Sequence, residues 1–360
     1  MRVIVREAWL IVAGTLGWLG VVSGSTALIV IAAMVFVAGG ISRLWARLSL
    51  DRVRYTRQLS ERRVFVGEQV DMEITVLNEK VAPVPWLELR ESLPRGMPAN
   101  VKTSIGTTAG TQHLTRSTSM GGNDRIEWPV TLRAVKRGYF RVGPARLRSG
   151  DLFGFFEREA DVGWPTDNVI VYPHTYDLGD LGFDSTRPFG DLRGGNRIFE
   201  DPTRVAGVRD YEPGDAMRRI DWYATSRIGR LQSRIYEPSR SQALVIALNI
   251  PTEPEVWRGP DPVLLERGVS LAASVARWAC ERHFAVGLVA TGSFPDAPRT
   301  IRIGTGNRPN QLNVILEALA VVSAFTTIEM AQALEDPQYP LPPGATIIVV
   351  TGLMTENTEA

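Results

Sequence analysis

This chain has few of the side chains from which enzyme sites are usually built. It carries one cysteine, Cys280, and three histidines, His113, His174 and His283, in 360 residues. A lone cysteine excludes an internal disulfide framework and a thiolate zinc site. Scattered histidines leave little for imidazole chemistry. Lysine is scarce too: Lys80, Lys102 and Lys136 stand among 40 basic residues. Genome composition alone can produce that bias, but arginine's planar fork also suits buried or interfacial carboxylates better than an ammonium does. Neither sign of charge dominates, with 40 basic against 39 acidic residues and a net charge of +1. A general nucleic-acid binder needs a net basic face to release counterions from phosphate, so no nucleic-acid partner is expected. Gly194-Gly195 lacks the Lys-Ser/Thr of a phosphate loop, and no nucleotide or other cofactor is expected.

Charge itself is missing from residues 8–42. One helix of that length would run about 52 Å, against a hydrocarbon core of roughly 30 Å. Ser23, Gly24 and Ser25 lie mid-way, where a turn is easiest. The stretch therefore reads as two short spans of a lipid bilayer, about 8–22 and 26–41. Trp9, Trp18 and Trp45 are placed as interface anchors. Arg2 and Arg6 precede the pair, and Arg43, Arg47, Arg52 and Arg54 follow it. Positive flanks on both sides put both ends in the cytoplasm. A cleaved signal peptide fits poorly, because the apolar stretch is too long and lacks a cleavage site. A single tilted span would instead put the rest of the chain outside.

Beyond residue 48 the pattern changes twice. Val70, Met72, Ile74 and Val76 alternate with polar residues, as do Ile126, Trp128, Val130 and Leu132. Period-2 alternation between turn residues predicts an antiparallel β-sandwich over 49–175. Residues 97–123, rich in Gly, Ser and Thr, read as a long mobile loop. Residues 151–156, DLFGFF, read as a turn with aromatic anchors that pack. From about 241 the runs become continuous: 243–248, 285–290 and 345–351 are apolar strands covered on both faces. Helices are expected from Asp261-Pro262 to His283 and over 312–322, with a short antiparallel edge strand at 299–303. Strand–helix–strand alternation implies a parallel α/β sheet. The expected division is an anchor over 1–48, a sandwich over 49–175, a linking segment over 176–240 and an α/β domain over 241–360.

The linking segment is the densest in information. Residues 189–230 read FGDLRGGNRIFEDPTRVAGVRDYEPGDAMRRIDWYATSRIGR. Pro213-Gly214 gives a turn, and Asp215 is placed as the N-cap of a short helix through Asp221. Arg218 and Asp221 are three apart and expected to pair; Arg219 is expected to reach Tyr223. Ile220 and Trp222 are expected to anchor the helix. One reading is a structural network of Arg209, Asp210, Asp215, Arg218 and Asp221. The other is a protein-docking surface, since exposed arginine and aromatics are enriched at hot spots. The docking candidates are Arg204, Arg209, Tyr211, Gly214, Asp215, Arg218, Arg219, Asp221, Trp222 and Arg227.

The core of the segment has the form R-x-Y-x-P-G-D-x-x-R-x-I-D-W, from Arg209 to Trp222. It resembles the signature of a bacterial membrane-anchored family, domain of unknown function 58. Residues 137–144, RGYFRVGP, and the turn at 151–156 resemble it as well. The resemblance implies a location in the bacterial inner membrane with the soluble part cytoplasmic. It implies that the last domain is von Willebrand factor A-like; a whole domain of that type needs about two more helix–strand units, so this one reads as incomplete. It also implies a non-catalytic scaffold or adaptor working with a MoxR-type AAA+ ATPase. Domains of this type often hold a divalent cation through D-x-S-x-S. The corresponding positions here are Asn249, Pro251 and Glu253, which lack the oxygen set a hard cation needs, so no metal is expected. Two rival functions remain open. One is a thiol hydrolase using Cys280 with His283 on one helical face; the other is an outward-facing, metal-dependent adhesion module.

Overall fold

The computed structural model describes residues 8–106, 108–164, 166–179, 200–238, 243–253, 259–294, 297–326, 328–338, 340–342 and 344–353. Arg2, Arg6 and residues 189–199 of the linking segment lie outside that set. The chain falls into two compact units, Met1–Pro173 and His174–Ala360.

The first unit begins with two antiparallel helices, α1 (Ala8–Ser23) and α2 (Thr26–Leu48). The break is where the sequence put it: Gly24 takes a left-handed φ of 64°, and the Ser25 amide donates to the Gly20 carbonyl at 3.0 Å. Small residues let the helices approach. Gly17 faces Ala32, Gly20 faces Ile29, and a Cβ on Gly39 would run into the Trp9 ring. α2 is long and apolar enough to cross a membrane. It runs seven residues past the expected end near 41, because Arg43 and Arg47 fall in its last turns, where cations suit the helix dipole.

Lys80 closes that helix end. Its ammonium donates to the carbonyls of Leu48 at 2.7 Å and Asp51 at 3.3 Å, and to that of Ser49. Late carbonyls of a helix have no partner within it, so a cation from elsewhere both satisfies and attracts them.

Eleven strands follow: β1 (Val53–Leu59), β2 (Arg63–Phe65), β3 (Gln69–Asn78), β4 (Val84–Pro94), β5 (Ser104–Ile105), β6 (Thr111–Met120), β7 (Arg125–Arg133), β8 (Gly138–Val142), β9 (Ala145–Gly150), β10 (Glu157–Val162) and β11 (Asp167–Tyr172). They form sheets ordered β1-β3-β7, β10-β9-β4-β6-β5 and β2-β11-β8. The inward residues of β3 and β7, with Leu87, Leu89, Leu114 and Leu147, share one buried core. Two expectations fail here. Residues 97–123 are not one long loop: they hold β5 and the ten-residue β6, with Leu114 fully buried on β6. Of the apolar side chains in the 151–156 turn, Phe156 packs inward, while Leu152, Phe153 and Phe155 are exposed.

A buried ionic cluster ties the three sheets together. Arg57 on β1 donates to Glu91 on β4 at 2.5 Å and to Asp167 on β11 at 2.8 Å. Tyr55 on β1 donates to the other oxygen of Glu91 at 2.5 Å. The side chains of Arg57 and Glu91 are 2% and 0% exposed. Burial pushes the Glu91 carboxyl above the usual range, against the pull of Arg57 and Tyr55. Burial, with the neighbouring Glu91 charge, likewise pushes the Tyr55 phenol up.

The second unit holds a two-stranded ribbon, β12 (Glu200–Asp210) and β13 (Gln232–Pro238), and between its strands the short helix α3 (Trp222–Ile228). A four-stranded sheet follows, from β14 (Ala243–Leu248), β15 (Ala285–Phe294), β16 (Ala297–Gly306) and β17 (Thr346–Val350), in the order β16-β15-β14-β17. β14 pairs parallel with β15 and β17, and β16 runs antiparallel at the edge. Helices α4 (Pro262–Glu281), α5 (Gln311–Val321) and α6 (Met330–Leu334) complete the unit. Asp261 caps α4, accepting the amides of Val263 at 2.7 Å and Leu264 at 3.1 Å.

Candidate functional site

The signature occupies the connection between β12 and β13, and two carboxylates shape it. Gly214 has φ of 117°, open to glycine but strained for other residues. The turn it makes brings Asp215 back onto the strand end. Asp215 accepts from Arg209 at 2.7 Å and from the Glu212 amide at 3.2 Å. Arg209 also donates to the Asp210 carbonyl at 3.0 Å. Tyr211 donates to the Asp215 carbonyl at 3.3 Å, and the Tyr211 amide to the Leu231 carbonyl at 2.9 Å. The turn is thus closed on itself and onto β13.

The second carboxylate is Asp221. One oxygen accepts the amides of Tyr223 and Ala224, each at 3.0 Å, which caps α3; the other accepts from Arg234 on β13 at 2.9 Å. Its own amide donates to the Gln232 carbonyl at 2.8 Å. Gln232 is buried and donates to Asp210 at 2.5 Å. Ile220 is buried beside Ser233. Gly229, at φ of 75°, ends the helix in a left-handed turn.

Both carboxyls lie below their ordinary range. For Asp215 the main cause is the Glu212 amide, followed by Arg209; for Asp221 it is the Ala224 amide, followed by Arg234. Both carboxylates accept the hydrogen bonds that hold the turn and the helix in shape.

Several expectations for this segment need correction. Asp215 caps a turn, and only a 3-10 turn at Met217–Arg219 lies between it and Asp221. The helix begins after Asp221, not before. Asp221 pairs with Arg234, which the sequence did not single out, instead of with Arg218. Trp222 is no anchor: Met217, Trp222 and Tyr223 are 71%, 65% and 74% exposed. Tyr223 is covered by Arg227 at 5.9 Å from the ring centroid. Arg218 and Arg227 are exposed, Arg209 and Arg219 half-buried. The side chain of Arg204 lies outside the described residues.

The other candidates are held in different ways. Cys280 lies in the last turn of α4, whereas His283 sits past the helix in a left-handed conformation at φ of 60°, so the two do not share a helical face. Burial pushes the Cys280 thiol up, opposite to an activated thiolate. Asn249 accepts from Thr291 at 3.4 Å and donates to Thr351 at 3.2 Å. Among the described residues no group of three or more His, Cys, Asp or Glu is placed to hold a metal ion.

Comparison with known proteins gives one curated relative, the uncharacterized protein YeaD of Bacillus subtilis (strain 168). It is 24% identical over 208 residues, covering 57% of this chain and 50% of the relative. The chain thus spans about half the length of the curated relative it matches. Solved structures share only local likeness. The sporulation control protein Spo0M of Bacillus subtilis is 16% identical, with TM-score 0.21 over 34% of this chain and 50% of that one. The CARDB domain of the PF1109 protein from Pyrococcus furiosus is 15% identical, with TM-score 0.22 over 34% of this chain and 94% of that domain. The family model described as protein of unknown function DUF58 matches residues 207–360, the segment that begins with the ribbon and its signature turn, and to that family this part of the chain belongs.

Proposed function

We propose that this protein is a membrane-anchored, non-catalytic adaptor whose signature segment docks a MoxR-type AAA+ ATPase. The carrying observation is the contrast within that segment. Two carboxylates and their arginines fix the backbone, while Met217, Trp222 and Tyr223 are left facing solvent. Large aromatics held on a rigid support are what interface hot spots are made of. The partner's identity rests on the family resemblance alone. In the same reading α1 and α2 cross the bacterial inner membrane as a pair, with the soluble part in the cytoplasm. Arginine on both flanks and the apolar outer faces of both helices support it.

The order β16-β15-β14-β17, with three parallel strands and an antiparallel edge, supports reading the last domain as von Willebrand factor A-like. Asn249, just past β14 where such domains hold a cation, is bonded to both Thr291 and Thr351, so the adaptor role is proposed without metal.

A photo-crosslinking side chain at Tyr223 in the full chain, co-expressed with the MoxR-type ATPase of the same organism, tests the docking. A crosslink to the ATPase from position 223, absent from position 116 on the sandwich, is expected. Equal crosslinking from both positions would remove the reading.

A further inference from the structure

One end of the first unit collects exposed apolar side chains where the chain leaves the helices. The turn joining β9 and β10 carries Leu152, Phe153 and Phe155, and the turn joining β3 and β4 carries Val81; they are 69%, 69%, 71% and 83% exposed. Both turns lie beside the helix end. Lys80, next to Val81, bonds the Leu48 carbonyl at 2.7 Å. Phe156, next to Phe155, sets its ring edge-on to Trp9 of α1 at 6.2 Å, and Trp9 lies 5.8 Å from Phe36 of α2. Arg158 reaches Asp51 at 2.7 Å.

The aromatic turn is held, not frayed. Buried Asp151 accepts the amides of Phe153 at 3.0 Å and Phe156 at 2.7 Å, and the Trp86 indole donates to the Asp151 carbonyl at 3.0 Å. The Phe153 and Phe155 rings stand 6.0 Å apart. A fixed turn that aims three large apolar side chains at water marks an interaction site.

We infer that this end of the sandwich is a lipid-contacting surface, with Leu152, Phe153, Phe155 and Val81 entering the headgroup and acyl boundary of the bilayer that α1 and α2 cross. The inference rests on the membrane-anchor reading. Continuity selects lipid over a protein partner. A chain of aromatic contacts runs from the turn through Trp9 to α2. Residues 49–52 alone separate α2 from β1, a reach of at most about 14 Å, so the sandwich cannot stand clear of the surface. Exposed Arg47 and Arg52 supply cations for anionic headgroups beside the apolar tips. Interfacial side chains of this kind sink roughly 5–10 Å into that boundary.

The test uses the full chain with Cys280→Ser in phosphatidylethanolamine–phosphatidylglycerol vesicles. A nitroxide is placed singly at Leu152→Cys, at Val30→Cys in α2, and at Ile105→Cys, which is exposed at the opposite end of the sandwich. Collision with oxygen reports lipid, and collision with a water-soluble nickel chelate reports water. Positions 30 and 152 are expected to favour oxygen and position 105 nickel. Adding Phe153→Asp with Phe155→Asp is expected to raise nickel collision at 152 several-fold, with 30 and 105 unchanged. If 152 behaves like 105 while 30 stays in lipid, the anchor stands and this inference falls. If 30 is itself aqueous, the anchor reading fails and takes the inference with it.

Discussion

Asp221 divides its two oxygens between a helix cap and a strand arginine, and that division fixes α3 to β13. The pH dependence follows from the direction of its shift. Its folded pKa is below the ordinary carboxylate value, as is that of Asp215. The stabilisation is therefore present above the ordinary value and lost as pH falls through the depressed one. Protection of the Tyr223 and Ala224 amides against hydrogen exchange, corrected for intrinsic rate, should fall over that acid window; Asp221→Asn should lower the protection at neutral pH and flatten the acid dependence. Protection equal at both ends of the window would contradict the cap. Arg57 gives a sharper case. Arg57→Met leaves Glu91 buried without its cation, a loss of about 3–5 kcal/mol that should appear as a large fall in the melting temperature of the solubilised chain. A melt within about 0.5 kcal/mol of the parent would show that the cluster is hydrated. Neither pairing was legible in the sequence. Spacing of three links Arg218 to Asp221 only if both are helical, and Asp221 has an extended backbone at φ −91°, ψ 99°. β1 reads VRYTRQL, an apolar alternation of Val53, Tyr55 and Leu59 that Arg57 interrupts, and nothing local shows that Arg57 is buried with the apolar residues.

Among the elements, those with a clean period were the legible ones. β3 buries Val70, Met72, Ile74 and Val76 as the alternation required, and β14 spans the residues its apolar run marked. Asp261-Pro262 opened α4, because a capping carboxylate followed by proline leaves few alternatives. β6 was missed because TQHLTRSTSM shows its apolar residues only at Leu114 and Met120, and its inward Gln112 is polar. The ribbon β12–β13 was missed because its register shifts twice, between Glu200 and Val205 and between Val205 and Gly207, which breaks any period. The joint between α2 and the sandwich was not legible either, since nothing local ties Lys80 to a helix ending 32 residues earlier. Lys80→Met should cost about 1 kcal/mol there, a roughly 5-fold rise in tryptic cleavage after Arg52. An unchanged cleavage rate would show that the cap contributes nothing.

At the scale of the whole molecule, the adaptor reading makes predictions about membrane side and about partner. The first of the two units opens with the helix pair, and among the described residues α2 alone is long and apolar enough to cross a membrane. With both flanks rich in arginine, a tag at the C-terminus should survive external protease in intact cells and be digested only after the inner membrane is broken; digestion in intact cells would reverse the topology. The most direct test of the adaptor role separates docking from folding. Trp222→Ala with Tyr223→Ala removes exposed rings and leaves Asp215, Asp221, Arg209 and Arg234 in place. Co-purification of the MoxR-type ATPase from membranes should fall about 30-fold, the loss of a hot spot worth about 2 kcal/mol, while the melting temperature stays within that of a neutral surface change. Arg227→Ala should follow the same pattern more weakly. Undiminished capture, or capture that falls only in variants that also unfold, would leave the segment a structural brace and contradict the docking claim.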